Sequence, residues 1–291
     1  MQIPTYEDQL DLVNKGLAKV SKNGNLHTFK YKSDVMYKKK WNESKFLMEC
    51  RGHTYDEDSG KLLVLPFRKS FNYGENGWWH DVSLDTPVVM YKKYNGFMAA
   101  VSNGILSTTG TTNSDFVEMA KDYINPDISI NYKNFTLLYE VNHPKDQHIV
   151  EEEIGLKFLG LRYNDCGKFD PYGEKIECTL QQALQIAKHD RGEGYMIYSL
   201  NSNGEINSEY FCKVKSDRYR SRKALIRMNI SVTKTILQTE LYKYQQKMNL
   251  PDSLKLYAEL LLNKVTTEDW VSFTTEQRFA TLSELEKQHG F

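Results

Sequence analysis

The chain has 291 residues, 26% of them charged and 40% hydrophobic, which favours one large globular unit with a smaller one beside it. Its 38 basic and 38 acidic residues cancel at neutral pH, which argues against a bulk polyanion-binding protein, since such domains are usually strongly basic. The sequence contains no apolar run near the roughly 20 residues that span a membrane, and no signal-peptide pattern at its start. We therefore expect a cytoplasmic protein without a membrane partner.

The first predicted element is a helix over residues 6–20, with Thr5 as its cap. Strand-like segments dominate from there to about residue 215. They are interrupted by predicted hairpin turns at 58–60 and 102–104, helices at 113–124 and 179–190, and a solvated acidic turn at 151–153.

From about Ala224 the apolar residues recur with helical period. Three helical stretches are predicted, at 225–248, 251–265 and 274–290. We therefore predict an α+β domain over residues 1–223 and a small all-helical domain over 224–291.

The sharpest chemical signal is Lys93-Tyr94-Asn95-Gly96, a lysine three residues before a glycine (KxxG) at the end of a strand-like run. A lysine amine attacks phosphorus only when deprotonated, and its pKa is ordinarily ~10.4. Burial and neighbouring positive charge lower the pKa of such a lysine. KxxG also occurs at Lys157 and Lys287, but only Lys93 is followed in order by the other groups that nucleotidyl transfer requires. We predict that Lys93 is a nucleophile and that Gly96 lets the backbone pass close to a nucleotide.

Those other groups are two carboxylates and a pair of lysines. Glu140 ends one predicted strand, where it could hold a ribose hydroxyl or a metal, and Glu193 begins another. Lys213 and Lys215 end the last predicted strand, and the two-residue period of a strand turns both to one face, where they can converge on a phosphate. Each residue alone is more typical of a solvated strand end or of a protected sheet edge than of a functional site. Their order after Lys93 favours nucleotidyl transfer.

This ordered set resembles the covalent nucleotidyltransferases, a superfamily of DNA ligases, RNA ligases and mRNA capping enzymes. Three flanking segments make the chain most similar to the bacteriophage RNA ligase 1 family: Glu49-Cys50-Arg51-Gly52, the basic-aromatic segment 67–72, and the segment 213–219, which reads KVKSDRY. The similarity runs from about residue 24 to about residue 222. It implies an adenylyltransferase domain of antiparallel sheets with flanking helices.

The resemblance implies an ATP-dependent RNA ligase. In such an enzyme Lys93 takes AMP from ATP, the AMP passes to an RNA 5′-phosphate, and a 3′-hydroxyl then displaces it. The implied contacts are Arg51, Lys69 and Phe71 with the nucleotide and its phosphates, Glu140 with the ribose, Glu193 with Mg²⁺ (or Mn²⁺ in its place), and Lys213 and Lys215 with the α-phosphate. The implied partners are RNA ends, single-stranded or in a nicked tRNA-like molecule, met by a monomer in the host cytoplasm if a phage encodes it.

One departure from the family concerns a phosphate contact. Those ligases usually carry a basic residue before a glycine after the nucleophile strand, where this chain has Thr108-Thr109-Gly110. The contact is either missing or supplied elsewhere, with Lys92 as the candidate. Two basic stretches, 30–45 and 213–227, suit either a phosphate-bearing ligand or a solvated face.

Several alternatives stay open from sequence. The chain could instead be a DNA ligase, another lysyl-nucleotide transferase such as a capping enzyme, or an RNA-binding relative that has lost catalysis. Trp78 and Trp79 suit stacking on bases or packing over the core. Phe158 and Leu159 suit the wall of an adenine pocket or ordinary sheet packing.

Overall fold

A computed structural model of the chain describes residues 2–146, 148–227, 237 and 250–290. They form three β-sheets with flanking helices, which confirms the predicted α+β class and its antiparallel sheets. In these ranges no helix is both long and apolar enough to cross a membrane. Most of the helix predicted over 225–248 lies outside the described residues.

The first sheet is a four-stranded antiparallel sheet that packs against helix α1 (Tyr6–Asn14). Its strands, in spatial order, are β1 Ala18–Asn23, β2 Leu26–Tyr31, β3 Arg51–Asp56 and β4 Leu62–Val64. Thr5 caps α1 as predicted, through a capping box with Asp8. The helix predicted over 6–20 is too long, because Gly16 adopts a left-handed φ of 71° and turns the chain into β1.

The second sheet has five antiparallel strands in the order β11-β10-β9-β7-β8. Their bounds are β7 Phe97–Ser102, β8 Ile105–Ser107, β9 Phe135–Asn142, β10 Gly155–Tyr163 and β11 Phe169–Pro171. The predicted turns at 58–60 and 102–104 are both found, between β3 and β4 and between β7 and β8.

The third sheet has five strands in the order β12-β6-β13-β14-β5, antiparallel except for the parallel pair β14–β5. Their bounds are β5 Phe71–Asn72, β6 Pro87–Lys93, β12 Ile176–Thr179, β13 Gly194–Leu200 and β14 Ile206–Lys215. Further short elements are α2 Ser33–Tyr37, α3 Asp115–Lys121, α4 Leu180–Lys188, and 3₁₀ turns at Lys40–Glu43, Glu75–Gly77 and Pro126–Ser129.

The two five-stranded sheets share an apolar layer, and a helix covers the other face of each. Val89 and Tyr198 from one sheet meet Met98 and Leu138 from the other. Because successive strand residues point to opposite faces, the neighbours of Val89 pack instead on α4. Helix α3 covers the second sheet in the same way. Strands buried on both faces explain why β6 reads as a continuous apolar run.

Helix α5 (Asp217–Arg227) follows β14 directly. The described residues 250–290 contain helices as their regular structure: α6 Ser253–Leu262, α7 Thr267–Ser272 and α8 Thr275–His289. Ala224 and Leu225 of α5 share one core with Leu254 and Trp270. The predicted domain boundary at 223/224 falls within α5, and the division into two units stays a prediction.

A buried carboxylate fastens α8 to α5. Glu286 accepts hydrogen bonds from Arg218 at 2.6 and 2.9 Å, from Arg222 at 2.8 Å, and from the hydroxyl of Tyr257. Burial alone would raise the pKa of Glu286, but the two arginines outweigh it and the pKa lies below its usual value. Arg222 also donates to the carbonyl of Ile149 at 2.6 Å, so the network reaches the segment before β10.

We expect Glu286→Gln to lower the free energy of unfolding by about 3–5 kcal/mol, because it leaves the buried guanidinium of Arg222 and the partly buried one of Arg218 without their counter-charge. Urea unfolding followed by circular dichroism measures the change. Glu284→Gln is the matched control, since Glu284 lies on the same helix in an exposed pair with Lys264, and it should cost under about 1 kcal/mol. Equal losses in the two variants would contradict the structural role of Glu286.

Candidate active site

The fold brings Lys93 and Lys215 together across one central strand. Lys93 ends β6 and Lys215 ends β14, and both have Gly194 of β13 as their register partner. Gly194 has a φ of 129°, and a Cβ at this position would collide with the backbone of Val214. Glycine therefore suits the position between the two lysines.

Glu193, the residue before that glycine, shares its buried carboxylate between the two lysines. Its Oε2 lies 3.0 Å from Lys93 Nζ, and its Oε1 lies 2.7 Å from Lys215 Nζ. Burial alone would raise the pKa of Glu193, but the charges of Lys93 and Lys215 outweigh it, and the pKa lies below its usual value. Glu193 is therefore an anion at neutral pH that fixes the position of the Lys93 amine.

Lys213 and Lys69 add two more amines at the same end of the site. Lys213 Nζ donates to the carbonyl of Ser70 at 2.9 Å, and Lys69 Nζ donates to the same oxygen at 3.1 Å. Burial, followed by the positive charges of Lys69 and Lys215, holds the pKa of Lys213 well below its usual value. Lys69 also pairs with Glu75 at 3.5 Å. An anion bound here would relieve the repulsion among the amines.

Glu140 of β9 lies behind the turn that follows Lys93. Its Oε1 accepts a hydrogen bond from the backbone N–H of Gly96 at 2.9 Å. Burial raises the pKa of Glu140 to about 7, against the opposing influence of Lys93. The carboxyl group thus anchors the turn between β6 and β7 and titrates near neutral pH.

A cavity of about 250 Å³ opens beside Lys93 and is lined by both five-stranded sheets. Its charged lining residues are Arg51, Arg68, Lys92, Lys93, Glu140 and Glu174. The remaining wall is mainly aromatic and aliphatic, with Tyr91, Leu159, Phe169, Tyr172, Met196 and Tyr198. An apolar pocket with a few convergent polar groups is typical of a small-molecule site, and this division suits a flat ring with an anionic tail.

Asn95 holds the loop after Lys93 through contacts that the local sequence does not reveal. Its N–H donates to Glu152 Oε1 at 3.1 Å, its Nδ2 donates to the carbonyl of Val150 at 3.4 Å, and its own carbonyl accepts from Asn142 Nδ2 at 2.7 Å. Within the run 151–153, predicted to be a solvated turn, Glu151 and Glu153 are exposed but Glu152 is partly buried by this contact. These partners lie at least 47 residues away along the chain, beyond the reach of any local pattern.

Arg51 reaches the cavity from the first sheet, and its Nη1 donates to the carbonyl of Phe67 at 3.4 Å. Two residues earlier, buried Glu49 pairs with Arg162 at 2.9 Å and with Arg68 at 3.2 Å. These pairs tie the segment before β3 to β10 and to the chain ahead of β5. Sequence singles out the segment 49–52, but gives no sign of the Arg162 contact.

The structure places Lys30, and not Lys92, beside Thr109. Lys92 Nζ lies 2.5 Å from Asp190 and 5.1 Å from the ring centre of Tyr195. The lysine that reaches Thr109, where the family usually has a basic residue, is Lys30, whose Nζ lies 3.4 Å from the hydroxyl. Lys30 comes from β2, so only the tertiary structure reveals it.

Phe71, predicted at the nucleotide, lies in the aromatic core of the first sheet, 5.2 Å from the ring of Trp41. Lys69 Nζ stands 4.8 Å from the centre of the Phe71 ring, so Phe71 supports a lysine of the site. Trp79 is 1% exposed and stacks on Tyr210, which favours packing over the core.

Phe158 and Leu159, the two candidates on β10 for the wall of an adenine pocket, occupy different environments in the structure. Leu159 lines the cavity. Phe158 packs between the rings of Tyr139 and Tyr172, 5.2 Å from each.

The donor set fits a magnesium ion that is bound mainly through a substrate. Among the described residues there is no group of three or more His, Cys, Asp or Glu side chains able to hold a metal. Mg²⁺ is commonly held by one or two carboxylates together with substrate phosphates. Glu193 is such a carboxylate at the cationic end, with Glu140 as the second candidate.

Comparisons with known proteins show the fold and not the family. No family model matches the chain, and no curated protein sequence matches it. A solved structure described as a putative ATP-dependent DNA ligase from Aquifex aeolicus is 13% identical, with a TM-score of 0.52 over 96% of this chain and 79% of that one.

Two solved forms of an archaeal ATP-dependent RNA ligase are also similar. One is 10% identical with a TM-score of 0.50, over 97% of this chain and 76% of that one. The other is 11% identical with a TM-score of 0.49, over 96% and 78%. The structural neighbours are thus ATP-dependent DNA and RNA ligases whose fold this chain shares, while the narrower resemblance to bacteriophage RNA ligase 1 is not confirmed.

We expect Glu140→Gln to remove a pH dependence of stability. The folded-state pKa of about 7 lies above the ordinary 4.5, so the folded protein binds this proton more tightly than the unfolded chain does. The contribution to stability is therefore complete below about pH 4.5 and is lost as the pH rises through about 7. At about pH 8 the variant should be more stable than the wild type by about 3 kcal/mol, and at about pH 5 nearly equal to it.

Urea unfolding of both proteins at the two pH values measures this difference. Glu118→Gln, at an exposed carboxylate of α3, is the control and should follow the wild type at both. A Glu140→Gln variant no more stable than the wild type at the higher pH would refute the assignment.

Proposed function

We propose that this chain is an ATP-dependent RNA ligase that works through a covalent lysyl-AMP intermediate on Lys93. The observation that carries the proposal is the position of the Lys93 amine. Glu193 holds it at 3.0 Å, Lys215 contacts the same carboxylate, and the apolar cavity opens beside it. A nucleophile between a purine-sized pocket and a cluster of amines suits attack on the α-phosphate of a nucleotide.

In the first step the Lys93 nitrogen, once deprotonated, attacks the α-phosphorus of ATP. A P–N bond forms, the bond from the α-phosphorus to the bridging oxygen breaks, and pyrophosphate leaves. Negative charge on the phosphate oxygens is neutralised by Lys213 and Lys215, with Arg51 and Lys69 on the remaining phosphates. Mg²⁺, or Mn²⁺ in its place, would be held by Glu193 and would supply further charge neutralisation on those oxygens.

The adenosine would occupy the apolar cavity, with its ribose near Glu140. Glu140 already binds the backbone of Gly96 through Oε1, which leaves its second oxygen as an acceptor for a ribose hydroxyl. Phe71 would act indirectly, because it lies under Lys69, whereas Lys92 lines the cavity and pairs with Asp190. The site residues predicted from sequence thus form contacting and supporting groups.

In the later steps the AMP passes from Lys93 to an RNA 5′-phosphate, and a 3′-hydroxyl then displaces AMP and closes the phosphodiester bond. The segments 49–52, 67–72 and 213–219 support RNA as the substrate, because they resemble the bacteriophage RNA ligase 1 family. RNA repair, on single strands or nicked tRNA-like molecules in the host cytoplasm, is the corresponding role. We assign these steps to residues 1–223 and a supporting role to residues 224–291, which the sequence predicts to be a separate domain.

A DNA ligase is the second candidate, because the neighbour with a TM-score of 0.52 is described as a putative ATP-dependent DNA ligase. The two candidates share the first step and differ in the strand that accepts AMP. Offering the labelled protein a 5′-phosphorylated RNA, a nicked tRNA-like RNA and a nicked DNA duplex distinguishes them. Transfer to the DNA nick alone would replace the RNA assignment.

We expect the protein to become labelled when it is incubated with ATP carrying label on the α-phosphate, and Lys93→Ala to remain unlabelled. Denaturing electrophoresis detects the covalent adduct. Glu193→Gln should lower the labelling rate at least tenfold, because the Lys93 amine loses its charged anchor. Lys157→Ala is the matched control, since Lys157 also begins a KxxG but pairs with Glu153 on the surface, and it should label like the wild type.

Unlabelled wild type would first be checked by mass spectrometry for AMP already attached. Absence of both label and attached AMP would refute the ligase and favour a nucleic-acid-binding protein without catalysis. Label that persists in Lys93→Ala would move the nucleophile to another residue.

A further inference from the structure

Three cations form a row across the first sheet. Lys19 of β1 is the register partner of Lys30 of β2, and Lys30 is the partner of Arg51 of β3. Adjacent strands lie about 4.8 Å apart, so the row extends about 10 Å outward from the active site. Like charges directly opposite each other destabilise a sheet, so the arrangement carries an energetic cost.

Within the described residues no carboxylate offsets this cost by an ion pair with any of the three. Lys30 is partly buried, and its Nζ has the hydroxyl of Thr109 as its hydrogen-bond acceptor at 3.4 Å. Burial and then the charges of Arg51 and Lys19 lower the pKa of Lys30. A bound polyanion would supply the missing negative charge.

A groove of about 400 Å³ runs along the outer part of this row. Lys19, Lys30 and the hydroxyl-rich segment 108–111 line it. Its lining also includes the pair Phe97 and Phe116, whose ring centres lie 4.9 Å apart, with Phe116 43% exposed. Cations beside hydroxyls and an exposed aromatic ring are the groups that bind the backbone and bases of single-stranded nucleic acid.

The groove adjoins the active site without being part of the nucleotide cavity. Met98 lines both spaces, whereas Lys30 and Lys19 line only the groove and Arg51 lines only the cavity. The outer cations therefore point to a ligand that continues outward from the site of phosphoryl transfer. A strand with several phosphates meets that condition better than a single nucleotide does.

We propose that the groove formed by Lys19, Lys30, 108–111 and the Phe97–Phe116 pair binds the single-stranded RNA that this enzyme joins. Lys19 and Lys30 contact successive phosphates on the way to Arg51, and a base stacks on Phe116. Lys30 thereby replaces, from another strand, the basic side chain missing at Thr109. This inference rests on the proposed RNA ligase function and adds the path of its substrate.

The test is direct binding of a fluorescent, 5′-phosphorylated RNA 12-mer to the full-length chain, by anisotropy at low and moderate salt. Lys30→Gln should weaken binding about three- to tenfold at low salt, and Lys19→Gln with Lys30→Gln further. Each lysine lost should make the dependence of log affinity on log salt shallower by about 0.7. Phe116→Ala should weaken binding at least about fivefold and leave that dependence unchanged.

Lys22→Gln is the matched charge control. Lys22 lies on β1 like Lys19, but it pairs with Glu57 and does not line the groove, so its RNA affinity should stay within about twofold of the wild type. Thermal melts should show Lys30→Gln at least as stable as the wild type, because it removes like-charge repulsion. If a lysine variant fails to fold, Phe116→Ala, at an exposed ring, carries the test.

Labelling of the wild type by ATP is measured on the same preparation, so the two proposals can fail separately. Wild-type labelling together with unchanged RNA affinity in the lysine and Phe116 variants would overturn the groove and leave the ligase standing. If the wild type is not labelled but the variants lose RNA binding, the ligase proposal fails and the RNA-binding groove stands. A lysine variant that needs tenfold more ATP for labelling but binds RNA normally would assign the groove to nucleotide phosphates and overturn our proposal. Variants that lose binding to a DNA 12-mer but keep their RNA affinity would overturn it as well.

Discussion

The structure of the site depends on one buried carboxylate. Glu193 pairs with the Lys93 amine through one carboxylate oxygen and with the Lys215 amine through the other. The shared negative charge holds together two amines that would otherwise repel each other. Pairing with two cations offsets the energetic cost of burying this carboxylate, since an unpaired buried charge is far more costly than a paired one. Gly194 makes the arrangement geometrically possible by leaving the central strand without a side chain between them.

Around this anion the cations outnumber their partners. Lys213 and Lys69 converge on a single carbonyl, and the row Lys19, Lys30 and Arg51 has no ion pair among the described residues. Such an arrangement retains electrostatic repulsion that destabilises the sheet locally, and a bound anion would relieve it. A neutral net charge over the whole chain conceals this local excess of positive charge.

The framework holds these groups through contacts between distant parts of the chain. Asn95 fixes the turn after Lys93 to the end of β9 and to the segment between β9 and β10, and Arg222 links that segment to Glu286 on the last helix. Arg218 of the same network donates to the carbonyl of Arg191, two residues before Glu193. The helices α5 and α8 are therefore connected by hydrogen bonds to two segments that flank the candidate site.

The sequence by itself determined the class of fold, the strands β6 and β14, and the identity of the residues near Lys93. Polar–apolar alternation and turn residues act on neighbouring residues, and the order of motifs can be read directly along the chain. It misjudged the end of α1, the surroundings of Glu152 and the position of Phe71. Only the tertiary structure decided which lysine reaches Thr109 and which residue pairs with Glu49, since those partners are 79 and 113 residues apart. Contacts at such separations depend on sheet register and packing, which no local pattern encodes.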